Sequence, residues 1–477
     1  MAEPKPLALD VDGTFLRTDI LYEALWAGLG RAPLKTLALL AANFRHPARL
    51  KAGLHDLVDL RVDLLPVNAE VATMARAAAD RGQPVILASA SDQRIVTALA
   101  EVHGLDKGSL GSDASRNLKA GAKAQALIRA YGEGGFDYAG DSRADRAVWD
   151  KADRAVIVGP RGAEAARLRD AGHKVTEIAG GWSFRDLLRA VRPHQWVKNV
   201  LLILPMIAAH DFTLTTLLPI ILGIAAFSAA ASSIYVVNDL LDLEADRLHP
   251  TKKNRPFASG AVPIRVGMAA CLLLGAGAIG LASLLNPAFM TIVIGYMVLS
   301  LAYSLKLKRM RWIDIFTLAG LYTVRVVAGA AAGEVQVSIY MLIFIFPAFL
   351  TLGCVKRLTE LAFADGDNPL PGRGYGRRDR GDLVNMAALG TVGALVIFVL
   401  YTFSPQAATL YPTQWILWLA LLPIGFWLIR MVLLGYHGQQ DFDPIVFAMR
   451  DRMGIGILLI ALSLMFWAAG LWAEWFG

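Results

Sequence analysis

The chain has 477 residues, of which 55% are hydrophobic and only 18% charged, and its mean hydropathy is +0.46. Its two cysteines, Cys271 and Cys354, lie in apolar segments without a partner at ligand spacing, which argues against a disulfide framework and a zinc site. The net charge of +7 is better explained by basic cytoplasmic loops than by nucleic-acid binding, and no secretory signal precedes the first predicted strand. Residues 1–190 have the composition of a soluble domain, whereas 197–473 consist mostly of apolar blocks.

Two carboxylates, Asp10 and Asp12, follow the first predicted strand at 7–9. Because alternate residues of an extended chain point the same way, both carboxylates face one site at the end of this strand. Further strands are predicted at 85–88 and 136–139, and helical stretches are predicted between the strands, at 69–81 and 122–131. This alternation predicts an α/β fold with a parallel sheet, whose site lies at the carboxyl ends of the strands.

The motif from Asp10 to Thr14, with Ser89 after the second strand, resembles the haloacid dehalogenase-like hydrolases, most of which are phosphatases. The resemblance covers about residues 5–160. It implies that Asp10 is the nucleophile, that Asp12 is the general acid/base, and that the Ser89 hydroxyl holds the phosphoryl group. A carboxylate that attacks phosphorus forms an aspartyl-phosphate, and this step requires positive charge nearby.

The same resemblance supplies that positive charge. Lys123 fits the neutralising lysine, although Lys119 is close enough in sequence to compete. The implied Mg²⁺ ligands are Asp10, Asp12 and Asp141, with Asp145 behind them. Since every catalytic part is present, the domain is expected to be an active phosphatase, and a purely structural module is the alternative.

Residues 16–66 are predicted to form a cap that selects the phosphatase substrate. Within this cap, 33–44 is apolar but too short to span a membrane. We expect a buried cap helix there. A helix that lies on the membrane surface or against the second domain is the alternative.

The boundary between the two domains is predicted at Gly180-Gly181. Residues 1–180 then form the soluble domain, and 197–477 form the membrane domain. Between them, 181–196 contains a linker and a basic amphipathic helix, which suits a cytoplasmic membrane interface.

Nine apolar blocks have membrane-spanning length, at 197–217, 218–237, 267–285, 287–305, 312–332, 337–355, 384–404, 412–434 and 453–473. They predict an all-α, polytopic membrane domain with about nine transmembrane helices. The loops after spans two, four, six and eight are basic, whereas those after spans one, three, five and seven contain no Lys or Arg. This asymmetry predicts that the N-terminal domain and the basic loops lie on the cytoplasmic side of the inner (plasma) membrane.

An acidic motif, from Asn238 to Asp246, follows the second span. If the helix continues, Asn238, Asp242 and Asp246 share one face, with Asp239 beside them. Carboxylates at this density require compensation at a membrane boundary, and their hard oxygen atoms favour Mg²⁺ that carries a diphosphate. The cations that would take the remaining charge are Lys253 and Arg255. The alternative is a solvated helix end.

Further polar residues lie inside or next to other spans. Arg325 is predicted to face a polar cavity rather than to form a structural ion pair, because an intramembrane arginine is costly. The remaining candidates for substrate binding are Lys198, Asn199, Tyr303, Lys308, Lys356, Arg357 and Glu360. Membrane anchoring by cytoplasmic cations is the alternative for the lysines and arginines.

The acidic motif, with Lys253 and Arg255-Pro256 after it, resembles that of the UbiA-type intramembrane prenyltransferases, over about residues 185–477. Arg192 to Asn199, and Arg325 before Ala328-Gly329, are most similar to the decaprenyl-phosphate phosphoribosyltransferase subgroup. The resemblance implies that the Asp residues of the motif, aided by Asn238, hold Mg²⁺ on a leaving diphosphate. The metal ligands would be Asp239, Asp242 and Asp246.

One departure from the aromatic prenyltransferases bears on the substrate. Their second Asp-rich motif is replaced here by Lys356-Arg357-Leu358-Thr359-Glu360, and a cation pair suits a substrate with an additional phosphate. We therefore expect transfer of phosphoribose from phosphoribosyl diphosphate to a polyprenyl phosphate. The alternatives are transfer of a prenyl group to an aromatic or polar-lipid acceptor, and a transporter or scaffold. Prenyl length and oligomeric state are left open, and 365–382 is predicted to be a mobile loop that could close over the site.

Overall fold

The computed structural model describes residues 4–106, 108–113, 117–364, 370, 373–440 and 443–476. The chain forms two compact units. Unit 1 comprises Met1–Val191 with Tyr235–Cys271, and unit 2 comprises Arg192–Ile234 with Leu272–Gly477. Of the predicted mobile loop, 365–382, residues 365–369 and 371–372 lie outside the described residues.

Unit 1 is built on a six-stranded parallel sheet with the strand order β3-β2-β1-β4-β5-β6. The strands are β1 (Leu7–Leu9), β2 (Val85–Asp92), β3 (Leu110–Ser112), β4 (Asp137–Gly140), β5 (Arg154–Val158) and β6 (Lys174–Ile178). In the centre, Leu7 of β1 pairs with Val85 of β2 and with Asp137 of β4. The predicted parallel α/β architecture is confirmed.

Helices cover both faces of this sheet. They are α1 (Ile20–Arg31), α2 (Pro33–Asn43), α3 (Pro47–Leu57), α4 (Ala69–Asp80), α5 (Gln93–Val102), α6 (Gly121–Tyr131), α7 (Arg146–Trp149), α8 (Gly162–Asp170) and α9 (Phe184–Ala190). Because side chains alternate along β1, Leu7 and Leu9 enter one core with α4 and α5, while Ala8 enters the other core with α6, α7 and α8. The strands end between these cores, at the edge where Asp10, Ser89 and Asp141 lie.

The segment between β1 and β2 contains α1, α2 and α3. Ala24, Leu25, Leu50 and Leu54 of α1 and α3 form a buried cluster. The expectation of a buried helix at 33–44 is wrong, because α2 buries only Thr36 of its 11 residues. Leu39 and Leu40 are half-buried against this cluster, whereas helical periodicity puts Leu34 and Leu37 on the opposite face, where they are exposed.

The segment after the acidic motif packs against α1 and α3 within unit 1. Arg247 pairs with Glu23 of α1 at 2.5 Å, and the two side chains are only 8% and 2% exposed. Arg31 pairs with Glu244 at 2.6 Å, and both of these side chains remain accessible. Met268 packs against the buried cluster of α1 and α3. Unit 1 therefore includes a loop that the sequence assigned to the membrane domain.

The remaining helices run from residue 204 to residue 476. They are α10 (Leu204–Ala208), α11 (Leu214–Leu241), α12 (Leu243–Leu248), α13 (Ile264–Ser283), α14 (Pro287–Leu305), α15 (Ile313–Ala332), α16 (Ile339–Ala362), α17 (Arg380–Thr402), α18 (Pro405–Leu410), α19 (Gln414–Leu419), α20 (Leu421–Tyr436), α21 (Pro444–Ala448), α22 (Arg452–Ala468) and α23 (Leu471–Phe476).

Within the described residues, seven of these helical segments are long and apolar enough to cross a membrane, so the predicted count of nine is not confirmed. The apolar block at 197–217 divides into a 3₁₀ helix, Pro193–Ile203, the short α10 and a turn at His210, whose φ is +54°. The last block ends as a 17-residue helix, α22, before Gly470 with a φ of +80°. Proline and left-handed turns interrupt apolar runs that hydropathy alone treats as continuous.

The buried pair between Glu23 and Arg247 provides a test of this packing. Glu23→Ala leaves the Arg247 guanidinium buried without its carboxylate, so we expect unit 1 to lose about 3–5 kcal/mol of unfolding free energy. The matched control, Arg31→Ala, removes an exposed pair and should cost about 0.2–1 kcal/mol. Pulse proteolysis of the full-length protein in urea measures both values, and equal losses would contradict the packing described.

Candidate functional site

Three carboxylates meet at the carboxyl edge of the unit 1 sheet. Oxygen atoms of Asp10, Asp141 and Asp145 all lie within 4.8 Å of one another. Lys123 places its Nζ 2.7 Å from Asp10 Oδ1 and 3.5 Å from Asp145 Oδ1. Lys119, the competing lysine, is exposed. The structure therefore brings together Asp10, Lys123 and Asp141, as the sequence predicts for them.

Tyr138, on β4, belongs to this cluster although its sequence context resembles that of a core aromatic residue. Its hydroxyl accepts a hydrogen bond from Lys123 at 2.8 Å and donates one to Asp145 Oδ1 at 2.7 Å. The other oxygen of Asp145 accepts from Ser142 Oγ at 2.7 Å. Asp145 is thus held by its neighbours, behind Asp10 and Asp141.

Asp12 is held by a separate pair of donors. Its Oδ1 accepts from the backbone N–H of Ile20 at 2.8 Å, and its Oδ2 accepts from Ser91 Oγ at 2.9 Å. The predicted Ser89 is fully buried, and its Oγ accepts from the backbone N–H of Ser91 at 3.0 Å. Ser91 is not among the predicted residues, although it follows Ser89 by two positions on β2 and the alternation of side chains along a strand indicates it.

The electrostatics of this site favour a cation. Burial raises the pKa of Asp10 to about 7, since the attraction of Lys123 only partly offsets it and Asp145 adds repulsion. Burial likewise raises the pKa of Asp12 to about 6 and that of Asp141 to about 7. The carboxylates of Asp10, Asp141 and Asp145 lie together, and Lys123 pairs with two of them, Asp10 and Asp145. Hard oxygen donors with uncompensated negative charge fit a divalent metal such as Mg²⁺.

The acidic motif spans the junction of α11 and α12, also in unit 1. Asp239 and Asp246 are 2% and 3% exposed, and Arg255 Nη1 lies 3.1 Å from Asp239 Oδ1 and 2.7 Å from Asp246 Oδ2. The break between α11 and α12 falls between these two residues, and both carboxylates reach the same nitrogen atom of Arg255. Burial raises the pKa of Asp246, although Arg255 opposes the shift. Two buried carboxylates around one positive charge also fit a divalent metal.

The expected shared face of Asn238, Asp242 and Asp246 needs a correction. The helix breaks at Asp242, which stands between α11 and α12 with φ −103° and ψ 15°. Asn238 and Asp242 are half-buried. The side chains that converge are therefore Asp239 and Asp246. Lys253 is exposed in the 3₁₀ turn Lys252–Asn254.

In unit 2, two predicted lysines meet at a carboxylate. Lys198 Nζ lies 2.5 Å and Lys356 Nζ 3.8 Å from the same oxygen, Asp443 Oδ2. Asp443 also caps α21, where its Oδ1 accepts from the backbone N–H groups of Ile445 and Val446. Asp443 is not among the predicted residues, because nothing in its local sequence links it to Lys198 and Lys356, which are distant along the chain. Two ammonium groups and one carboxylate make this a candidate phosphate site.

Arg357 differs from its neighbour Lys356. Its side chain is 0% exposed, and it pairs at 2.5 Å both with Asp314 and with Glu360. Its Nη2 also donates to the Tyr303 hydroxyl at 2.9 Å. The positive charge of Arg357 is thus compensated within the protein. This geometry contradicts the expectation that Arg357 adds free positive charge for a substrate phosphate, and it gives Glu360 and Tyr303 a structural role.

Arg325 and Asn199 form a second buried group in unit 2. Arg325 Nε donates to Asn199 Oδ1 at 3.1 Å, and Nη2 donates to the Tyr296 hydroxyl at 3.0 Å. Asn199 Nδ2 in turn donates to Ser228 Oγ at 2.8 Å. The guanidinium carbon lies 4.9 Å from the ring centre of Tyr296 and 5.5 Å from that of Phe227. These contacts are with neutral groups, as an arginine in a polar interior would make.

Lys308, the last of the predicted residues, is buried in the 3₁₀ turn Leu307–Arg309. The predicted site residues are therefore divided between the units. Unit 1 holds Asp10, Asp12, Ser89, Lys123, Asp141, Asn238, Asp239, Asp242, Asp246, Lys253 and Arg255, and unit 2 holds Lys198, Asn199, Tyr303, Lys308, Arg325, Lys356, Arg357 and Glu360.

Known proteins match most of the chain. Residues 200–447 match the UbiA prenyltransferase family. The uncharacterized protein y4nM of Sinorhizobium fredii is 34% identical over 470 residues, which cover 96% of this chain and 90% of that protein. Decaprenyl-phosphate phosphoribosyltransferase of Mycobacterium tuberculosis is 28% identical over 283 residues, which cover 58% of this chain and 91% of that protein.

Among solved structures, a UbiA homolog from Archaeoglobus fulgidus bound to GPP and Mg²⁺ matches with a TM-score of 0.43 and 15% identity. That match covers 59% of this chain and 99% of the other. The extent of the family match, together with the seven apolar helices, establishes the class of the protein. The chain is an integral membrane protein that belongs to the UbiA prenyltransferase family.

Proposed function

We propose that this protein transfers 5-phosphoribose from phosphoribosyl diphosphate to a polyprenyl phosphate. The observation that carries the proposal is the pair of lysines, Lys198 and Lys356, around Asp443. The aromatic prenyltransferases of the family have a second acidic motif where this chain has Lys356. The excess of positive charge at this position suits a substrate with an additional phosphate. The similarity to proteins named decaprenyl-phosphate phosphoribosyltransferase supports the same substrates.

The donor diphosphate belongs at the acidic motif in this proposal. Asp239, Asp242 and Asp246 would hold Mg²⁺, with Asn238 beside them. When bound, Mg²⁺ would neutralise the charge that develops on the departing diphosphate. Arg255, which already lies between two carboxylates, supplies a further cation for the same charge. As the ribose C1 becomes oxocarbenium-like, stabilising the leaving group matters more than a strong base.

The acceptor phosphate is already an anion, so the protein has to position it rather than deprotonate it. Lys198 and Lys356 are the candidates for this role. Lys308, Arg325 and Asn199 are further candidates for contacts with the substrates. Arg357 supports the site indirectly, because its pair with Asp314 joins α15 to α16, while Glu360 on its own helix balances the remaining charge.

Asp239→Asn tests the donor site, because it removes one carboxylate charge while keeping the size of the side chain. We expect transfer to fall about a hundredfold or more. The assay incubates membranes with labelled phosphoribosyl diphosphate and polyprenyl phosphate and counts lipid-extractable label. Glu244→Gln is the matched control, since this exposed carboxylate of the same motif pairs with Arg31, and it should transfer at the wild-type rate.

The same membranes distinguish phosphoribosyl transfer from prenyl transfer. Prenyl transfer is the second candidate function, because the family is described as prenyltransferases. Labelled prenyl diphosphate replaces the donor, with an aromatic or polar-lipid acceptor. Incorporation from prenyl diphosphate alone would refute phosphoribosyl transfer. Unchanged transfer by Asp239→Asn would show that the acidic motif does not hold the donor, and label no higher than in membranes that lack the protein would revive a transporter or scaffold.

We further propose that the N-terminal part of unit 1 is a haloacid dehalogenase-like phosphatase. Asp10 attacks the phosphorus atom, and the ester P–O bond breaks as Asp12 protonates the leaving oxygen. Water then cleaves the aspartyl-phosphate, with Asp12 as the base. Lys123, held against Asp10, offsets the charge of the phosphoryl group, and Asp10, Asp12 and Asp141 would hold Mg²⁺ to the same end. We propose the 5-phosphate of the lipid-linked phosphoribose as the substrate, on the cytoplasmic face of the inner membrane.

A doubly labelled donor tests this second step in the full-length protein. Phosphoribosyl diphosphate carries one label in the 5-phosphate and another in the ribose carbon. Wild-type protein should yield lipid that keeps the carbon label and loses the phosphate label. Asp10→Asn should retain both labels, because the nucleophile is lost, and Lys119→Ala should match wild type. A constant ratio of labels in wild-type product, while transfer proceeds, would exclude this substrate.

The raised pKa values also predict how the metal-free protein responds to pH. The folded-state pKa values of Asp10, Asp12 and Asp141 are about 7, 6 and 7, above the ordinary 3.8, so the folded protein binds more protons in this range. The free energy of unfolding should therefore fall as pH rises from about 4 to about 7. Added Mg²⁺ should restore stability at about pH 8 but not at about pH 5, where protons already neutralise the carboxylates.

Urea unfolding in EDTA and in MgCl₂ measures this effect without any activity assay. Asp141→Asn should stabilise the protein in EDTA above neutral pH and weaken its response to Mg²⁺. The exposed Asp63→Asn is the control and should behave like wild type in both solutions. Stability that is flat or that rises across this pH range in EDTA would rule out the electrostatic account.

A further inference from the structure

Helix α2 presents an apolar face to the surroundings of unit 1. Leu34 is 82% exposed, Leu37 is 53% exposed and Phe44, which follows the helix, is 68% exposed. These positions lie on one side of the helix, and the exposed Ala38 and Ala41 continue the stripe between them. Large apolar side chains in such an arrangement require a partner of their own, because water solvates them poorly.

The charged side chains of α2 and of the residues that follow it, up to Arg49, are all basic. No Asp or Glu occurs between Glu23 and Asp56, whereas Arg31, Lys35, Arg45, Arg49 and Lys51 all fall in that interval. Lys35, Arg45 and Arg49 are exposed. An apolar helix face with a basic rim is the pattern of a helix that lies in the interface of an anionic membrane.

The opposite face of α2 packs against the same buried cluster as the beginning of a membrane helix. Leu39 and Leu40 pack against the buried cluster of α1 and α3, and Met268 packs against the same cluster. Met268 lies about one turn into α13, which begins at Ile264 and has the length and hydropathy of a membrane span. Within unit 1, α2 and the first turn of a membrane helix therefore share one hydrophobic support.

We infer that α2 lies in the headgroup region of the bilayer that the apolar helices of this protein span. Leu34, Leu37 and Phe44 enter the boundary with the acyl chains, and the basic side chains around them contact anionic lipid headgroups. The bilayer is the partner that the observations favour, because it is continuous with α13 and supplies both the apolar layer and the negative charge. A second copy of the chain is the competing occupant.

Cysteine labelling in lipid nanodiscs tests the inference on the full-length protein. Single cysteines are introduced by Leu34→Cys, Leu37→Cys and, as the control, Val102→Cys, in a Cys271→Ala/Cys354→Ala background. Val102 ends α5 and is 50% exposed, close to the 53% of Leu37. A membrane-impermeant maleimide should label positions 34 and 37 about tenfold more slowly than position 102 in discs that contain phosphatidylglycerol.

Lipid composition and occupancy separate the possible outcomes. Phosphatidylcholine discs, or high salt in phosphatidylglycerol discs, should speed labelling at 34 and 37, because the basic rim then loses its attraction. Labelling of these positions at the rate of position 102, in discs that hold one protein each, would overturn the inference. Protection that appears only in discs with two proteins would also overturn it, in favour of a second copy.

Discussion

Charge that is buried in this chain has to be compensated where it lies, and both units are arranged around that constraint. A carboxylate or guanidinium removed from water loses several kcal/mol of solvation, which is recovered only through close partners. Arg247 meets Glu23 in unit 1, and Arg357 meets Asp314 and Glu360 in unit 2. The pairs of Arg247 with Glu23 and of Arg357 with Asp314 join segments that are distant in sequence, so electrostatic compensation also determines which helices stay together.

The balance of charge separates structural groups from candidate ligand sites. Arg357 and Arg373 face Asp314 and Glu360, which gives two cations and two carboxylates, and the group is complete by itself. Asp10, Asp141 and Asp145 around Lys123 carry excess negative charge. Lys198 and Lys356 around Asp443 carry excess positive charge. A metal ion suits the first imbalance and a phosphate the second, which fits substrates that are phosphate esters.

Local patterns predicted the sheet and the cluster at its edge well. Asp10 and Asp141 each follow a strand and Ser89 lies in the carboxyl-terminal half of β2, and parallel strands bring their carboxyl ends to one edge whatever the intervening loops do. Asp443 escaped prediction because its partner Lys198 is remote in sequence. Arg357 and Lys356 are adjacent cations with opposite environments, and only packing distinguishes them. The segment 33–44 has the apolar composition of a buried helix, yet Leu34 and Phe44 are exposed. Residue identity alone does not show which face of the helix packs against the rest of unit 1.

The discontinuity of unit 1 has a consequence for biosynthesis. Its first segment ends at Val191, but its second segment, Tyr235–Cys271, is made only after the apolar run that begins α11. A nascent N-terminal part therefore exposes Glu23 and the cluster around Leu25 and Leu50 until the later segment delivers Arg247 and Met268. Completion of unit 1 is thereby tied to membrane insertion, so a chain that fails to insert also leaves its N-terminal part incomplete.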